Sequence, residues 1–362
     1  MQYEPRQPLP VRGDFEPYSK NVSHEQIKDR ERRSLSKTAN GIGFFVLVYY
    51  LLIFEISGLI SRFVSSSGAV TPENQRTLSF LLQIATAVSA SLIAGIFYRL
   101  LSRRKISTFF PKSRIDMKML FPMVLLGMGA AMVANNLASI FDVNISIFRL
   151  ENSAQTVRST QNIPEMLLYV VSTAIVPAFA EEFAFRGIFM GVMRKYGDAF
   201  AIITSSIMFG AMHGNTTQIV FAFTLGLIFA FVDCKANSIV PSVIIHFLNN
   251  FYSTLTDVLS ANSGLDRSSV IIIHTGVILL FSVLGFLSYV YLSNNDKDFF
   301  KISNSDPNRF SNTDILPFKE KIKTFFTALG VIFSLTLFFL EMVYFLLPKD
   351  IQTGITKVLE LG

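Results

Sequence analysis

Apolar runs long enough to cross a bilayer recur along this chain, and they constrain its fold more than any other feature. Against a hydrocarbon core of roughly 30 Å, at about 1.5 Å of rise per residue, a spanning helix needs about 20 apolar residues. Such runs fall at 41–64, 78–100, 118–141, 164–193, 198–213, 217–232, 238–258, 270–293 and 325–347. The fifth and sixth are short, and the count is eight to nine. The expected fold is therefore all-α, a polytopic transmembrane bundle. Charged residues make up 16% of the sequence, against about 25% in soluble domains, which agrees with lipid as the solvent.

The charge that remains is distributed as membrane topology. Arg30, Arg32, Arg33 and Lys37 precede the first run, and Arg103, Arg104, Lys105, Lys112 and Arg114 follow the second. Arg194 and Lys195 follow the fourth, and Lys297, Lys301, Arg309, Lys319, Lys321 and Lys323 lie between the last two. Alternate connections are thus basic, which predicts a cytoplasmic N-terminus in an integral membrane protein; no eukaryotic targeting signal is evident, and the expected location is a bacterial plasma membrane. The net charge of +6 is accounted for this way and implies no nucleic-acid partner. A lone Cys234 permits no internal disulfide and has no evident activating base. No cleavable signal peptide is evident.

The organisation expected is a polar, disordered cytoplasmic tail over 1–38, with a surface helix across its His24–Lys37 part, and a bundle over 39–293. A cytoplasmic linker over 294–324 and an accessory helix with a C-terminal tail over 325–362 complete it.

Ionisable groups inside membrane spans are costly and mark function. Three groups stand out between residues 181 and 250. Glu181, Glu182 and Arg186 lie in AFAEEFAFRG; the second acid and the arginine are four apart, share a helix face and can pair. Glu181 points about 100° away and lacks that partner. Adjacent carboxylates in unlike surroundings suit acid/base catalysis, whereas the bland alternative is a salt bridge between helices. Phe209 and His213 lie in FGAMHG, and an isolated histidine at a helix end is more often structural. His246 and Asn250 lie in IIHFLNN at i and i+4, suited either to an oxyanion site or to interhelical hydrogen bonding. Asn249 competes with Asn250 for that place. A helical hairpin turning near Gly197 returns His213 to the level of Glu181, so the three groups can meet at one depth in the cytoplasmic half of the membrane. Glu55, Glu341, Asn135, Asn136 and His274 are expected to be structural.

These segments, E-E-x-x-x-R, F-x-x-x-H and H-x-x-x-N in that order on successive apolar helices, resemble the three motifs of the CPBP (Abi) family of intramembrane endopeptidases. The family includes type II CAAX prenyl endopeptidases and proteins linked to bacteriocin self-immunity. The resemblance covers about 164–256. It implies peptide hydrolysis by a glutamate-activated water, with Glu181 as base, His213 positioning the water, His246 and Asn250 as the oxyanion site, and Glu182 and Arg186 in support. It also implies a hydrophobic or lipidated peptide substrate. No cofactor is expected; a zinc-assisted version is the near competitor, although H-E-x-x-H is absent. Two other classes stay open at this stage: a non-catalytic peptide-binding or immunity protein, and a proton-coupled transporter.

Overall fold

A computed structural model describes residues 23–68, 70–71, 73–110, 115–147, 162–262, 266–302, 316–347 and 351–352. The tail before residue 23, the middle of the linker and the last ten residues lie outside that description.

Every expected apolar run is a helix. We number them α1 (His24–Ser66), α2 (Gln75–Ser102), a single turn α3 (Ile106–Phe109), α4 (Met117–Ile147), α5 (Ile163–Tyr196), α6 (Asp198–Ala211), α7 (Thr216–Ala236), α8 (Val240–Asn262), α9 (Arg267–Asn295), α10 (Phe318–Phe326) and α11 (Leu329–Leu346). Seven are long and apolar enough to cross a membrane; the others among the expected runs are α6, with 14 residues, and the more polar α8. Lipid-facing positions are apolar, as on α9, where Ile272 and Phe286 are exposed.

The expected tail boundary at residue 38 falls inside α1. Its first turns are helical because one face is buried: Leu35 and Ala39 are fully covered and Glu31 nearly so. A polar knot closes this end. The Lys321 ammonium on α10 donates to the Tyr196 carbonyl at 3.0 Å and lies 3.9 Å from Glu31, which accepts from the Leu316 amide at 2.9 Å.

Two apolar clusters build the core. One joins α1, α2, α3, α5, α6, α10 and α11 with one side of α7; the other joins α4, α8 and α9 with the other side of α7. α11 lies on α1 where Gly43 and Gly330 leave no room for a side chain on either helix, and Ser334 Oγ donates to the Gly43 carbonyl at 2.9 Å. α5 and α8 face each other along the seam between the clusters, and the polar residues lie there.

Candidate active site

α5 is not a uniform α-helix. Its backbone widens into π-helical turns at Val171–Ile175 and Phe183–Phe189, on either side of the two glutamates. Such bulges shift the angular register of the residues that follow and frequently occur at functional sites.

Glu182 and Arg186 are both fully buried, with Oε2 and Nε 3.2 Å apart. The angle falls short of a hydrogen bond, so the contact is an ion pair rather than a fork. Arg186 is further held by the Gly226 carbonyl at 3.3 Å and lies over the rings of Phe209 (4.3 Å) and Phe229 (5.2 Å). Buried guanidinium charge is thus met by a carboxylate, a carbonyl dipole and two aromatic faces.

Glu182 also bonds His246 Nδ1 at 2.9 Å through Oε1. With Nδ1–H donating to the carboxylate, the imidazole turns Nε2 toward Glu181, whose Oε2 is 4.0 Å away. Glu181 is the acid that retains exposure, 21% of its side chain, and its Oε2 has no hydrogen-bond partner. The His246 ring stacks on Phe229 at 5.3 Å, which fixes its plane.

His213 Nδ1 meets the Phe209 carbonyl at 2.8 Å, one turn back on α6. Donation there leaves Nε2 with the lone pair. The Phe209 ring packs edge-on against both His213 (5.0 Å) and His246 (6.3 Å), linking the two histidines. The next residue, Gly214, has φ +64°, and a Cβ there would lie 2.5 Å from the Glu341 carboxyl of α11. Glu341, expected to be structural, abuts the turn that ends the FGAMHG motif.

Asn250 lies one turn beyond His246, and its amide donates to the Thr173 carbonyl in the first π-helical turn at 3.2 Å. Asn249 is buried and faces Asn135 at 3.4 Å. The neighbours stay linked, the Asn249 amide donating to Asn250 Oδ1 at 3.2 Å, while Asn249 reaches α4 and Asn250 reaches α5. His274, expected to be structural, is bonded and stacked against Tyr252.

The structure therefore joins Glu181, Glu182, Arg186 and His246 side by side, brings His213 to them through the Phe209 ring, and places Asn250 at the far edge. Sequence reasoning missed the Glu182–His246 bond and the aromatic cradle of Phe209 and Phe229. Their signal was only that Phe209 begins the second motif and that Phe229 lies on an apolar helix.

With that geometry in place, the comparisons with known proteins agree with the motifs. Residues 163–252, which hold Glu181, Glu182, Arg186, Phe209, His213, Phe229, His246 and Asn250, match the family described as type II CAAX prenyl endopeptidase Rce1-like. The resemblance to the CPBP family is thereby borne out over the site: a quarter of the chain, set in a polytopic helical bundle, is similar to a family of membrane endopeptidases. A Bacillus subtilis (strain 168) protein named "Putative membrane peptidase YdiL" is 20% identical over 233 residues, 62% of this chain and 93% of that protein. No solved structure matches the chain.

Proposed function

We propose that the chain is an intramembrane endopeptidase that hydrolyses a peptide bond with a water activated by Glu181. One observation carries this reading: Glu181 is the partly exposed acid of the buried cluster, facing an imidazole whose other nitrogen is held by Glu182. Two hydrogen bonds of about 2.8 Å meeting near a right angle span 4.0 Å, so a water can bond Glu181 and His246 together.

In the proposed reaction the water loses a proton to Glu181 as its oxygen bonds to the peptide carbonyl carbon. His213 Nε2, an acceptor in the tautomer set by the Phe209 carbonyl, orients that water. The developing oxyanion is met by His246 and by Asn250. His246 Nε2 donates only when the ring is an imidazolium, and Glu182 is placed to be its counter-ion; Arg186 in turn anchors Glu182. Glu181 then returns its proton to the leaving nitrogen as the C–N bond breaks.

The reading is metal-free. Among the described residues no three His, Cys, Asp or Glu side chains are grouped as ligands for a metal ion, and Glu182 is committed to His246 and Arg186. The residues as arranged do not fit a zinc site, and no step is routed through one. α1 supports the proposed depth: the Tyr196 hydroxyl bonds Thr38, whereas Tyr49 lines the cavity beside Glu181. Those levels are about 16 Å apart along the helix. With the basic connections and the N-terminus in the cytoplasm of a bacterial cell, the reacting centre falls in the cytoplasmic half of the plasma membrane, near the midplane. The proposed substrate is a hydrophobic or lipidated peptide held in the membrane lipid.

The test is cleavage by purified protein. Glu181→Gln and His213→Ala should each abolish cleavage without altering the thermal unfolding of the protein in detergent, and strong chelation should leave wild-type turnover unchanged. Function that survives both substitutions would leave a peptide-binding role; zinc bound one-to-one, with turnover lost on its removal, would overturn the metal-free mechanism.

A further inference from the structure

Next to Glu181 lies a cavity of about 300 Å³, lined among others by Tyr49, Ile53 and Ser57 of α1, by Ser79, Gln83 and Thr86 of α2, and by Pro177 of α5. That is the lower end of the range for ligand pockets, roughly 300–1,000 Å³.

Its direction can be read from three helices independently. On α1 the lining steps from Tyr49 to Ser57, toward the helix C-terminus. On α2 it steps from Ala87 back to Ser79, toward the N-terminus, and on α5 from Glu181 back to Pro177. All three steps lead to the same end of the bundle, where α1 passes into α2. The basic ends of these helices, Arg30–Lys37, Arg99–Arg104 and Arg194–Lys195, are at the other end.

Exposure follows the same direction. Ser91 meets the Ala180 carbonyl at 3.5 Å, so Thr86 lies more than a turn outward of Glu181; Thr86 is buried, whereas Gln83 and Ser79, farther out, are exposed, and the mouth lies on that side. Toward the basic end the way is filled. Phe185, one turn beyond Glu181, is fully buried and packs on Tyr49 (6.3 Å), Phe189 (6.2 Å) and Phe209 (5.2 Å); Phe189 and Phe200 close on Phe325 at 6.1 and 6.0 Å.

The lining also has unmet hydrogen-bonding capacity. Thr86 is 4% exposed and its Oγ1 has no hydrogen-bond partner, like Glu181 Oε2 in the same cavity. An unpaired buried hydroxyl is costly unless something bonds it when the site is in use.

Resting on the peptidase reading above, we propose that substrate reaches Glu181 from the membrane face opposite the basic loops, through the cleft between α1, α2 and α5. The substrate class is an extended, uncharged peptide segment that emerges at that face. Its backbone is met by Ser79, Gln83 and Thr86, which offer donors and acceptors without charge. Pro177, Ala180 and Ala87 leave the walls low, so side chains near the cut are small.

The experiment is accessibility. Ser79→Cys, Gln83→Cys and Ser57→Cys are made singly in a Cys234→Ser background, with Arg104→Cys marking the basic side. A charged, membrane-impermeant methanethiosulfonate is applied to intact cells and to inside-out vesicles. The cleft cysteines should react from one face and Arg104→Cys from the other, and Glu181→Gln should not change the pattern. Labelling of the cleft from the Arg104 side, or from neither side at all three positions, overturns the proposal. This readout needs no cleavage, so it stands if the peptidase reading fails. Membrane peptidomics of cells with wild-type protein and with Glu181→Gln tests the substrate class: Glu181-dependent cuts should fall at the face opposite Arg104, and cuts in tails on the Arg104 side would overturn it.

Discussion

Arg186 has no route to water, and its charge is tolerable only because Glu182 lies four residues back on the same face. That pairing was legible in the sequence, since i,i+4 spacing in an apolar helix leaves few other solutions. The Glu182–His246 bond was not, because it joins residues 64 apart and depends on how α8 rotates against a bulged α5. Nor was the contact of Glu341 with Gly214: an acid isolated in sequence shows nothing of the turn it meets across the bundle. The ion pair makes a prediction of its own. Removing one partner from a buried pair costs about 3–5 kcal/mol, whereas replacing both with apolar groups of similar volume can be neutral. Glu182→Leu or Arg186→Met alone should therefore lower the unfolding midpoint in detergent sharply, and the double substitution should recover much of that loss while still lacking activity. Single variants as stable as the wild type would mean that the charge is relieved in some other way.

At the scale of elements, the apolar runs located the spanning helices, because helix length against bilayer thickness leaves little freedom, but not their polar extensions, such as the turns of α1 before residue 41. What they concealed is what shapes the site. The π-helical turns in α5 have no periodicity signature over five or seven residues; α6 falls short of a crossing by its 14 residues, and α8 by the polar residues it carries, His246, Asn249 and Asn250 among them. The expected accessory role of α11 also needs restating, since it packs along α1 and carries Glu341 to the end of the second motif. Its seat is the glycine crossing with α1, so Gly330→Leu should push it away. Small-residue contacts of this kind rest on close backbone approach, in place of a hydrophobic drive that lipid does not supply. The expected result is a lower unfolding midpoint together with reduced cleavage, whereas Gly58→Leu, at a glycine of α1 with open space around it, should leave both unchanged. Equal behaviour of the two variants would remove α11 from any part in holding the site.

Across the whole molecule the two ends of the bundle are built differently. The basic end is knotted: Lys321 reaches the Tyr196 carbonyl and Glu31, Arg32 bonds Glu320 at 2.7 Å, and the Tyr196 hydroxyl meets Ser34 and Thr38. Those bonds tie α1, α5 and α10 together over the aromatic packing that separates Glu181 from this face. The other end holds the cavity mouth. The proposed reaction, whose water must be kept from the aqueous phase on one side while peptide is supplied on the other, needs this asymmetry, and the knot is where it can be tested. Lys321→Met leaves Glu31 buried without its cation, at a cost of about 3 kcal/mol or more by the same reasoning as for other buried pairs. The variant should unfold at lower temperature and, in inside-out vesicles, should let an impermeant thiol reagent reach a cysteine at Ser79 from the Arg104 side. Arg32→Ala, which breaks an exposed pair expected to contribute no more than about 1 kcal/mol, should do neither. If Lys321→Met loses stability yet keeps the basic face sealed, the barrier lies in the aromatic layer alone, and Phe325→Ala becomes the substitution that should open it.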